Sequence, residues 1–330
     1  MRTLGRYNDR DVTEVVLESS RAAVHIMNYG AVIRDWRMDV DGSARPMVLG
    51  YRDFDDYPEH SRSFGTITGR VANRTAGGRF SLDGTDYQLE INKPPNHLHG
   101  GSAGLGVNMW DMETDGDAVV RLTHVSPDGA AGYPGQAEFT VTYRLDGGRL
   151  DIEIEATVDR PSPINIAQHN YYTLGAASGV RECAVRVDAD RYTPTDETQI
   201  PTGEILPVDE TRFDFRTMRS FADADSDEQG IDHNLVLREG RDASEPAAEG
   251  HNPETGRELK IWTDQPGIQL FNAWHFDLPK PGHDGIKMGN YPGFCLEPQH
   301  FPDSVNKPQW PSIIYSPERP YRQVMGIEIL

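Results

Sequence analysis

Polar side chains gather in four short segments, where ordinary strands would not concentrate His, Asn, Arg and Glu between glycines. Imidazoles and carboxylates transfer protons near neutral pH, so these segments are candidates for acid–base chemistry. The segments are Gly69-Arg70-Val71-Ala72-Asn73-Arg74, Asn96-His97-Leu98-His99-Gly100-Gly101, Gln168-His169-Asn170-Tyr171-Tyr172 and Phe294-Cys295-Leu296-Glu297-Pro298-Gln299. Two shorter polar stretches, Gly230-Ile231-Asp232-His233-Asn234 and Pro266-Gly267-Ile268-Gln269, lie between the last two.

Glu297 is the most informative single residue. It follows the apolar pair Cys295-Leu296 in a segment that we expect to be buried. A buried carboxylate costs several kcal/mol unless it is paired. We therefore expect the fold to retain Glu297 for a chemical reason.

Structural roles remain open for the other polar residues. His97 and His99 would face the same way on a strand and could bind a metal, but no Cys or nearby carboxylate completes a zinc set. Asn73-Arg74 could simply fix a turn, and a lone His beside a strand is usually a satisfied or exposed residue. We predict no metal site.

Composition excludes several classes of protein. The 330 residues are 37% hydrophobic, which is enough for a large core and argues against wholesale disorder. The net charge of −20 disfavours nucleic acid and anionic membranes as partners. No apolar run approaches the roughly 18 residues of a membrane span, and the N-terminus has no apolar signal core. We expect a cytoplasmic protein in which Cys183 and Cys295 are reduced and buried.

Period-2 alternation dominates the pattern of the chain and predicts an antiparallel all-β fold. Asp-Gly pairs at 41–42, 83–84 and 146–147 predict tight hairpin turns. Only 217–225 suggests a helical turn or two, whereas 222–230 and 241–257 are expected to be loops. Predicted strands are 12–17, 22–26, 119–123, 139–143, 150–156 and 268–276. We interpret 1–330 as a single domain whose large sandwiched sheets close around a concave face.

Taken together, the polar segments resemble the aldose 1-epimerase, or galactose mutarotase, family. The resemblance extends from about Asn28 to Ile327, and the motifs occur in the family's order. Its motifs are Gly69-Arg70-Val71-Ala72-Asn73-Arg74, Leu98-His99-Gly100-Gly101, His169-Asn170-Tyr171, Asp232-His233-Asn234 and Glu297-Pro298-Gln299-His300-Phe301-Pro302-Asp303-Ser304-Val305-Asn306.

The resemblance implies a β-supersandwich, in one domain with few short helices, that opens and recloses free aldohexoses such as galactose and glucose. It implies Glu297 as catalytic base and His169 as catalytic acid. The implied substrate-binding residues are Asn73, Arg74, His99, Tyr171, Asp232 and Gln269. No cofactor is implied, and a monomer or a homodimer is expected.

Four positions depart from the family's usual residues, and they leave the preferred sugar open. Asn170 replaces a short hydroxyl residue, the later run reads Tyr172-Thr173-Leu174, and Pro298 and Trp310 replace common Thr and Phe.

Anomer exchange needs one base for the C1 hydroxyl and one acid for the ring oxygen. Glu297 would be charged near neutrality, and we predict that His169 is partly protonated when the enzyme is active, helped by the site's negative charge. Tyr171 or Trp274 would provide an aromatic platform for the sugar.

Two other functions would also use these polar residues. A lectin-like protein would use the same polar groups without an acid–base pair, and a glycoside hydrolase would pair Glu297 with Asp232 or Asp303.

Overall fold

The protein is described by a computed structural model, in which residues 1–61 and 63–330 are described. Strands account for 45% of the residues and helices for 8%, which confirms the all-β prediction. None of the helices in these two ranges is long and apolar enough to span a membrane. Cys183 and Cys295 are both free and buried, as predicted.

The strands are short in the first third of the chain and longer around its middle. In chain order they are β1 (Arg2–Tyr7), β2 (Arg10–Glu18), β3 (Ala23–Met27), β4 (Val32–Val40), β5 (Ser43–Pro46), β6 (Thr66–Thr68), β7 (Arg74–Thr75), β8 (Arg79–Leu82), β9 (Thr85–Gln88), β10 (His97–Leu98), β11 (Asp111–Asp115), β12 (Val119–Ser126), β13 (Ala137–Asp146), β14 (Arg149–Val158), β15 (Ser162–Pro163), β16 (Ala167–His169), β17 (Ala184–Val187), β18 (Ala189–Tyr192), β19 (Leu206–Pro207), β20 (Arg219–Ser220), β21 (Asp232–Leu237), β22 (Ala248–His251), β23 (Glu258–Thr263), β24 (Gly267–Phe271), β25 (Cys295–Gln299), β26 (Ile314–Tyr315) and β27 (Tyr321–Ile329).

Helices are few and short. The α-helices are α1 (Asp56–His60) and α2 (Phe221–Ala224), and short 3-10 turns lie at Ala76–Gly78, Gly101–Ala103, Leu105–Val107, Ala130–Gly132, His283–Gly285 and Ser304–Asn306. The predicted helical turn is α2, which begins where the side chain of Ser220 accepts a hydrogen bond from the N–H of Asp223.

A nine-stranded antiparallel sheet in the order β11-β12-β13-β14-β27-β23-β22-β17-β20 forms the largest layer. Its long strands alternate strictly, so Val141 and Tyr143 on β13 and Ile152 and Ile154 on β14 are buried in the main core. The predicted strands at 119–123, 139–143 and 150–156 all lie in this sheet. Each of these strands therefore buries its apolar face, whereas its other face is more exposed, as the alternation predicts.

Two five-stranded sheets complete the architecture, in the orders β1-β2-β3-β4-β5 and β19-β18-β21-β24-β25. The predicted strands at 12–17 and 22–26 are β2 and β3 in the first of them. The Asp-Gly turns at 41–42 and 83–84 adopt positive φ at both residues, as tight hairpins require.

Two boundary predictions are wrong. The strand expected at 268–276 ends at Phe271, because the chain turns there and Ala273 has a φ of 49°. The segment 241–257, expected to be a loop, contains β22 in the interior of the nine-stranded sheet. Its buried residues are Ala248 and Gly250, which are too small to produce an apolar period in the sequence.

Candidate active site

The floor of the candidate site is the antiparallel arrangement β21-β24-β25. Gln269 of β24 lies opposite both Asn234 of β21 and Glu297 of β25, and Asp232 lies opposite Phe271. Gln269 donates a 2.6 Å hydrogen bond from Nε2 to Oδ1 of Asp232. Strand pairing therefore brings three residues together that are far apart in the chain.

His169 lies against this floor at the end of β16. The strand pairs with β6, and the His169 carbonyl accepts a hydrogen bond from the N–H of Gly65. Its imidazole Nε2 is 3.5 Å from Oε2 of Glu297, which is only 2% exposed. The two residues expected to act as acid and base thus share one buried space.

Burial governs the protonation of this pair. It raises the pKa of the Glu297 carboxyl well above its usual value, and the negative charge of Asp232 raises it further. Burial lowers the pKa of His169 to about 4. The negative charge of Asp232 favours a protonated His169, but burial outweighs this effect. Without sugar, burial therefore favours a protonated carboxyl and a neutral imidazole over the ionic pair.

In the sugar-free protein these directions run against the prediction of a charged Glu297 beside a His169 that is partly protonated in the active enzyme. That prediction counted the negative charges around the site but not the cost of enclosing an ion. In its neutral form and in its ionic form, the pair of Glu297 and His169 shares one exchangeable proton. Moving that proton from Oε2 to Nε2 converts the neutral pair into the ionic pair.

The side wall of the site is the two-stranded ladder of β7 and β10. Asn73 directly precedes β7 and His99 directly follows β10, and both have left-handed backbone conformations, with φ of 60° and 52°. The N–H of Asn73 donates to Nδ1 of His99 over 3.1 Å. Because burial also lowers the pKa of His99 well below its usual value, its single proton lies on Nε2, which is available as a hydrogen-bond donor.

Gly100 makes the close approach of this wall possible. Its φ is 86°, and a Cβ at this position would lie 1.9 Å from the carbonyl oxygen of Gly69. Only glycine fits there, which explains Gly100 beside His99.

Arg74 and Asp232 connect the wall to the floor. Nη1 of Arg74 is 3.8 Å from Oδ2 of Asp232. Gln199 bridges the same two groups, because it accepts from Arg74 and donates from Nε2 to Oδ2 of Asp232 over 3.0 Å. An array of charged and amide groups therefore surrounds the acid–base pair.

Tyr171 and Cys295 also contact the His169 ring. The Tyr171 ring stacks on the imidazole with centroids 5.0 Å apart, and Cys295 Sγ is 3.7 Å from its Nδ1. Tyr171 is 2% exposed, so the structure gives it a contact with His169 instead of an open face for a sugar. Trp274 is partly buried and lies over Gly230.

All eight predicted site residues thus belong to one connected cluster. They are Asn73, Arg74, His99, His169, Tyr171, Asp232, Gln269 and Glu297. Gln199 was missed, because it lies in a loop turn that has no distinguishing sequence pattern. The contact of Cys295 was also missed, although its position two residues before Glu297 on a strand places both on one face.

The alternative metal pair of His97 and His99 is not formed. The chain leaves β10 after Leu98, and the left-handed backbone of His99 breaks the alternation. Both nitrogens of His97 are engaged, Nδ1 with the Glu90 carbonyl at 2.7 Å and Nε2 with the Tyr133 hydroxyl at 2.8 Å. The two rings therefore do not converge.

Asp303, the alternative carboxylate partner for Glu297, has a structural role. It is 1% exposed and accepts hydrogen bonds from the N–H of Ala76 and from the side chains of Asn306 and Lys307. Both oxygens of its carboxylate therefore accept hydrogen bonds from neighbouring groups.

The four departures from the family pattern make contacts elsewhere. Asn170 accepts from Gln168 over 2.9 Å, and the Pro298 carbonyl accepts from Gln323 over 3.0 Å. Thr173 donates to the carbonyl of Pro46, and Trp310 packs edge-on against Phe301. The acid–base pair is therefore compatible with all of them.

The antiparallel sheets and the buried carboxyl–imidazole pair are the parts that a β-sheet enzyme would need for acid–base chemistry. The sequence profile of the aldose 1-epimerase family matches residues 13–328. The chain is 37% identical over 315 residues to "galactose mutarotase" of Homo sapiens, covering 94% of this chain and 92% of that protein. It is 34% identical over 297 residues to "aldose 1-epimerase" of Escherichia coli K12, covering 87% and 86%.

Solved structures agree with these sequence comparisons. The GalM/aldose epimerase homologue of C. elegans superposes with a TM-score of 0.91 at 26% identity, covering 97% of this chain and 99% of that chain. Galactose 1-epimerase of Lactobacillus acidophilus superposes with a TM-score of 0.86 at 28% identity, covering 100% and 97%. The fold is thus galactose mutarotase-like.

The chain belongs to the aldose 1-epimerase family. It is accordingly an isomerase that acts on sugars.

Proposed function

We propose that this enzyme interconverts the α and β anomers of free aldohexoses such as galactose and glucose, with Glu297 as base and His169 as acid. The observation that carries the proposal is the 3.5 Å separation of Nε2 of His169 and Oε2 of Glu297. The C1 hydroxyl and the ring oxygen are bonded to the same carbon. Two groups this close together can therefore serve both oxygens of one anomeric centre.

Ring opening uses the ionic form of the pair. The Glu297 carboxylate removes the proton of the C1 hydroxyl while the His169 imidazolium protonates the ring oxygen, and the C1–ring oxygen bond breaks to give the aldehyde. The pair is then a protonated carboxyl and a neutral imidazole, which is the state that burial favours in the free protein.

Ring closure reverses these transfers after the C1–C2 bond has rotated. His169 removes the proton of the C5 hydroxyl, whose oxygen attacks the other face of the aldehyde, and Glu297 returns a proton to the new C1 oxygen. Each step leaves one proton on the pair. The reaction therefore needs no cofactor, and each positioned group contributes about 10² to 10⁴ in rate.

The surrounding polar groups hold the sugar in register with the pair. Nε2–H of His99 donates to a sugar oxygen, and Arg74 stabilises negative charge that develops on the opening ring. Asp232 and Gln269 accept and donate hydrogen bonds to the hydroxyls, and Asn73 holds His99. Tyr171 contributes by fixing the plane of the His169 ring, on which it stacks.

We also propose that the protein is a single domain and that it works in the cytoplasm. The nine-stranded sheet draws strands from residues 111 to 329, which supports a single domain over 1–330. Two buried free cysteines suit the reducing cytoplasm. A monomer or a homodimer remains the expected assembly.

Polarimetry with freshly dissolved α-galactose and α-glucose tests the proposal. The protein should accelerate the approach to the equilibrium rotation without releasing product from a methyl glycoside. A rate equal to the spontaneous one for both sugars would exclude a mutarotase of neutral hexoses. A matched control is Glu153→Gln, because Glu153 forms an outer-face ion pair with Arg322, and it should retain full activity.

A further inference from the structure

Cys295 is a buried thiol that the proposed mechanism does not use. It is fully buried and begins β25, two residues before Glu297. Alternate residues of a strand share a face, so its sulfur and the Glu297 carboxyl point into the same space. The thiol therefore lies beside both members of the acid–base pair.

We propose that Cys295, His169 and Glu297 form a binding site for a thiophilic divalent cation of the Zn²⁺ type, and that the bound ion blocks catalysis. One ligand atom from each residue lies within 4.8 Å of the other two. Zn²⁺ binds sulfur, nitrogen and oxygen at about 2.0 to 2.3 Å, so its tetrahedral ligands lie about 3.3 to 3.6 Å apart. Binding would require the three ligand atoms to move to this spacing.

The carboxylate supplies an independent observation in favour of an ion. Oε2 of Glu297 is buried and accepts no hydrogen bond in the described residues. A buried polar atom of this kind costs free energy until a partner is supplied. It lies 3.5 Å from Nε2 of His169, at the edge of the space between the three side chains.

Charge balance also favours a divalent ion here. One thiolate, one carboxylate and one neutral imidazole carry two negative charges, which Zn²⁺ neutralises. The occupied site would therefore have no net charge, as a buried site requires. Binding releases the thiol proton and the carboxyl proton to solvent, and no oxidation takes place.

Occupation of the site would abolish acid–base catalysis, since the ion takes the carboxylate and an imidazole nitrogen. This consequence rests on the proposed function, whereas the binding itself does not. Three protein ligands leave the fourth tetrahedral position for a water molecule or a sugar hydroxyl. The expected effect is thus inhibition by free Zn²⁺ that a chelator reverses.

The binding test uses the purified enzyme titrated with Co²⁺, which reports a bound thiolate by a near-ultraviolet charge-transfer band. We expect one equivalent of Co²⁺ to produce the band in the wild-type enzyme and in Cys183→Ser. The band should be absent in Cys295→Ser. Cys183 is the matched control, because it is also a buried free cysteine and is 1% exposed.

Zn²⁺ calorimetry measures the other two ligands without reference to activity. Glu297→Gln and His169→Asn should each weaken Zn²⁺ binding about tenfold or more. No charge-transfer band in the wild-type enzyme, or an equal band in Cys295→Ser, would overturn the site. If Cys295→Ser does not fold, the Co²⁺ titrations of the wild-type enzyme and Cys183→Ser, together with Zn²⁺ calorimetry of Glu297→Gln and His169→Asn, still test the metal site.

The inhibition test adds Zn²⁺ to the polarimetric assay. Zn²⁺ should slow the wild-type enzyme and Cys183→Ser, but not Cys295→Ser. If Zn²⁺ binds at the three residues but leaves the rate of anomer exchange unchanged, the proposed inhibition is wrong. An enzyme without any mutarotase activity would refute the proposed function, while the Co²⁺ and calorimetry results would still decide the metal site.

Discussion

Nε2 of His169 lies 3.5 Å from Oε2 of Glu297, although the two residues belong to different sheets. Both side chains are almost completely buried, so they can exchange one proton without exchanging it with solvent. The number of protons on the pair, instead of the ordinary pKa of either group, therefore controls activity.

The first prediction concerns the pH dependence of kcat/KM. Below about pH 4, His169 becomes protonated while Glu297 keeps its own proton. No base then remains for the C1 hydroxyl. At high pH, Glu297 loses the pair's only proton at its raised pKa, and no acid remains. We expect an acid limb near pH 4, an alkaline limb above the usual carboxyl range, and a plateau between them.

Spontaneous mutarotation is subtracted at each pH, and circular dichroism verifies that the protein stays folded. Asp232→Asn removes a charge that raises the Glu297 pKa, so the alkaline limb should move to lower pH. A wild-type rate that falls about tenfold per pH unit above 6.5 would indicate ordinary pKa values and would contradict the burial effect.

The second prediction concerns stability against pH. Seven histidines have lowered pKa values in the fold, chiefly through burial, and those of His169, His233 and His300 are lowered to about 4. Below pH 6.5 the unfolded chain binds protons that the folded chain does not. The free energy of unfolding should therefore fall from pH 6.5 down to about pH 4.

Urea unfolding at pH 7.5, 6 and 5 measures this loss. Glu297 acts in the opposite direction with its raised pKa, but it is one group against seven. His300→Gln should give a shallower dependence on pH. A urea midpoint that does not change between pH 7.5 and pH 5 would show that these histidines are not enclosed.

The third prediction concerns Gln199, which connects Arg74 to Asp232. Gln199→Ala should raise KM about tenfold with little change in kcat, because Asp232, which we propose binds the sugar, loses a hydrogen bond. Gln309→Ala is the matched control, since Gln309 is exposed and donates only to the carbonyl of Gly203 nearby in the same loop region. Equal KM values for the two variants would remove Gln199 from the site.

The fourth prediction concerns Gly100. Gly100→Ala places a Cβ 1.9 Å from the carbonyl oxygen of Gly69, whereas Gly42, with a similar φ of 82°, has open space around it. Gly42→Ala should cost about 1 kcal/mol from the backbone conformation alone. Gly100→Ala should cost several kcal/mol in urea unfolding and lower activity, because β7 and β10 position Asn73 and His99. Equal losses of stability in the two variants would refute the close approach.

The sequence predicts most of the fold where the alternation is strong. Long strands such as β13 and β14 bury one face each, so their period of two is visible in the residues. β22 escapes prediction because its inward residues are Ala and Gly, whose burial leaves little apolar signal.

Motifs predict that Glu297, His169 and the polar residues around them lie in one cluster, but motifs do not predict their protonation. A motif places Glu297 and His169 in one family of sites, whereas their pKa values depend on how completely the fold encloses them. Gln199 depends on a loop conformation with a φ of 64°, which its neighbours in the sequence do not specify.

The most direct test compares the rates of galactose anomer exchange, measured by NMR, for Glu297→Gln, His169→Asn and the double variant. If one pair moves both protons, each single variant should lose about 10² to 10⁴ of the rate, and the double variant little more than the worse single one. Losses that multiply, or full activity in either single variant, would show that Glu297 and His169 do not act together on one anomeric centre.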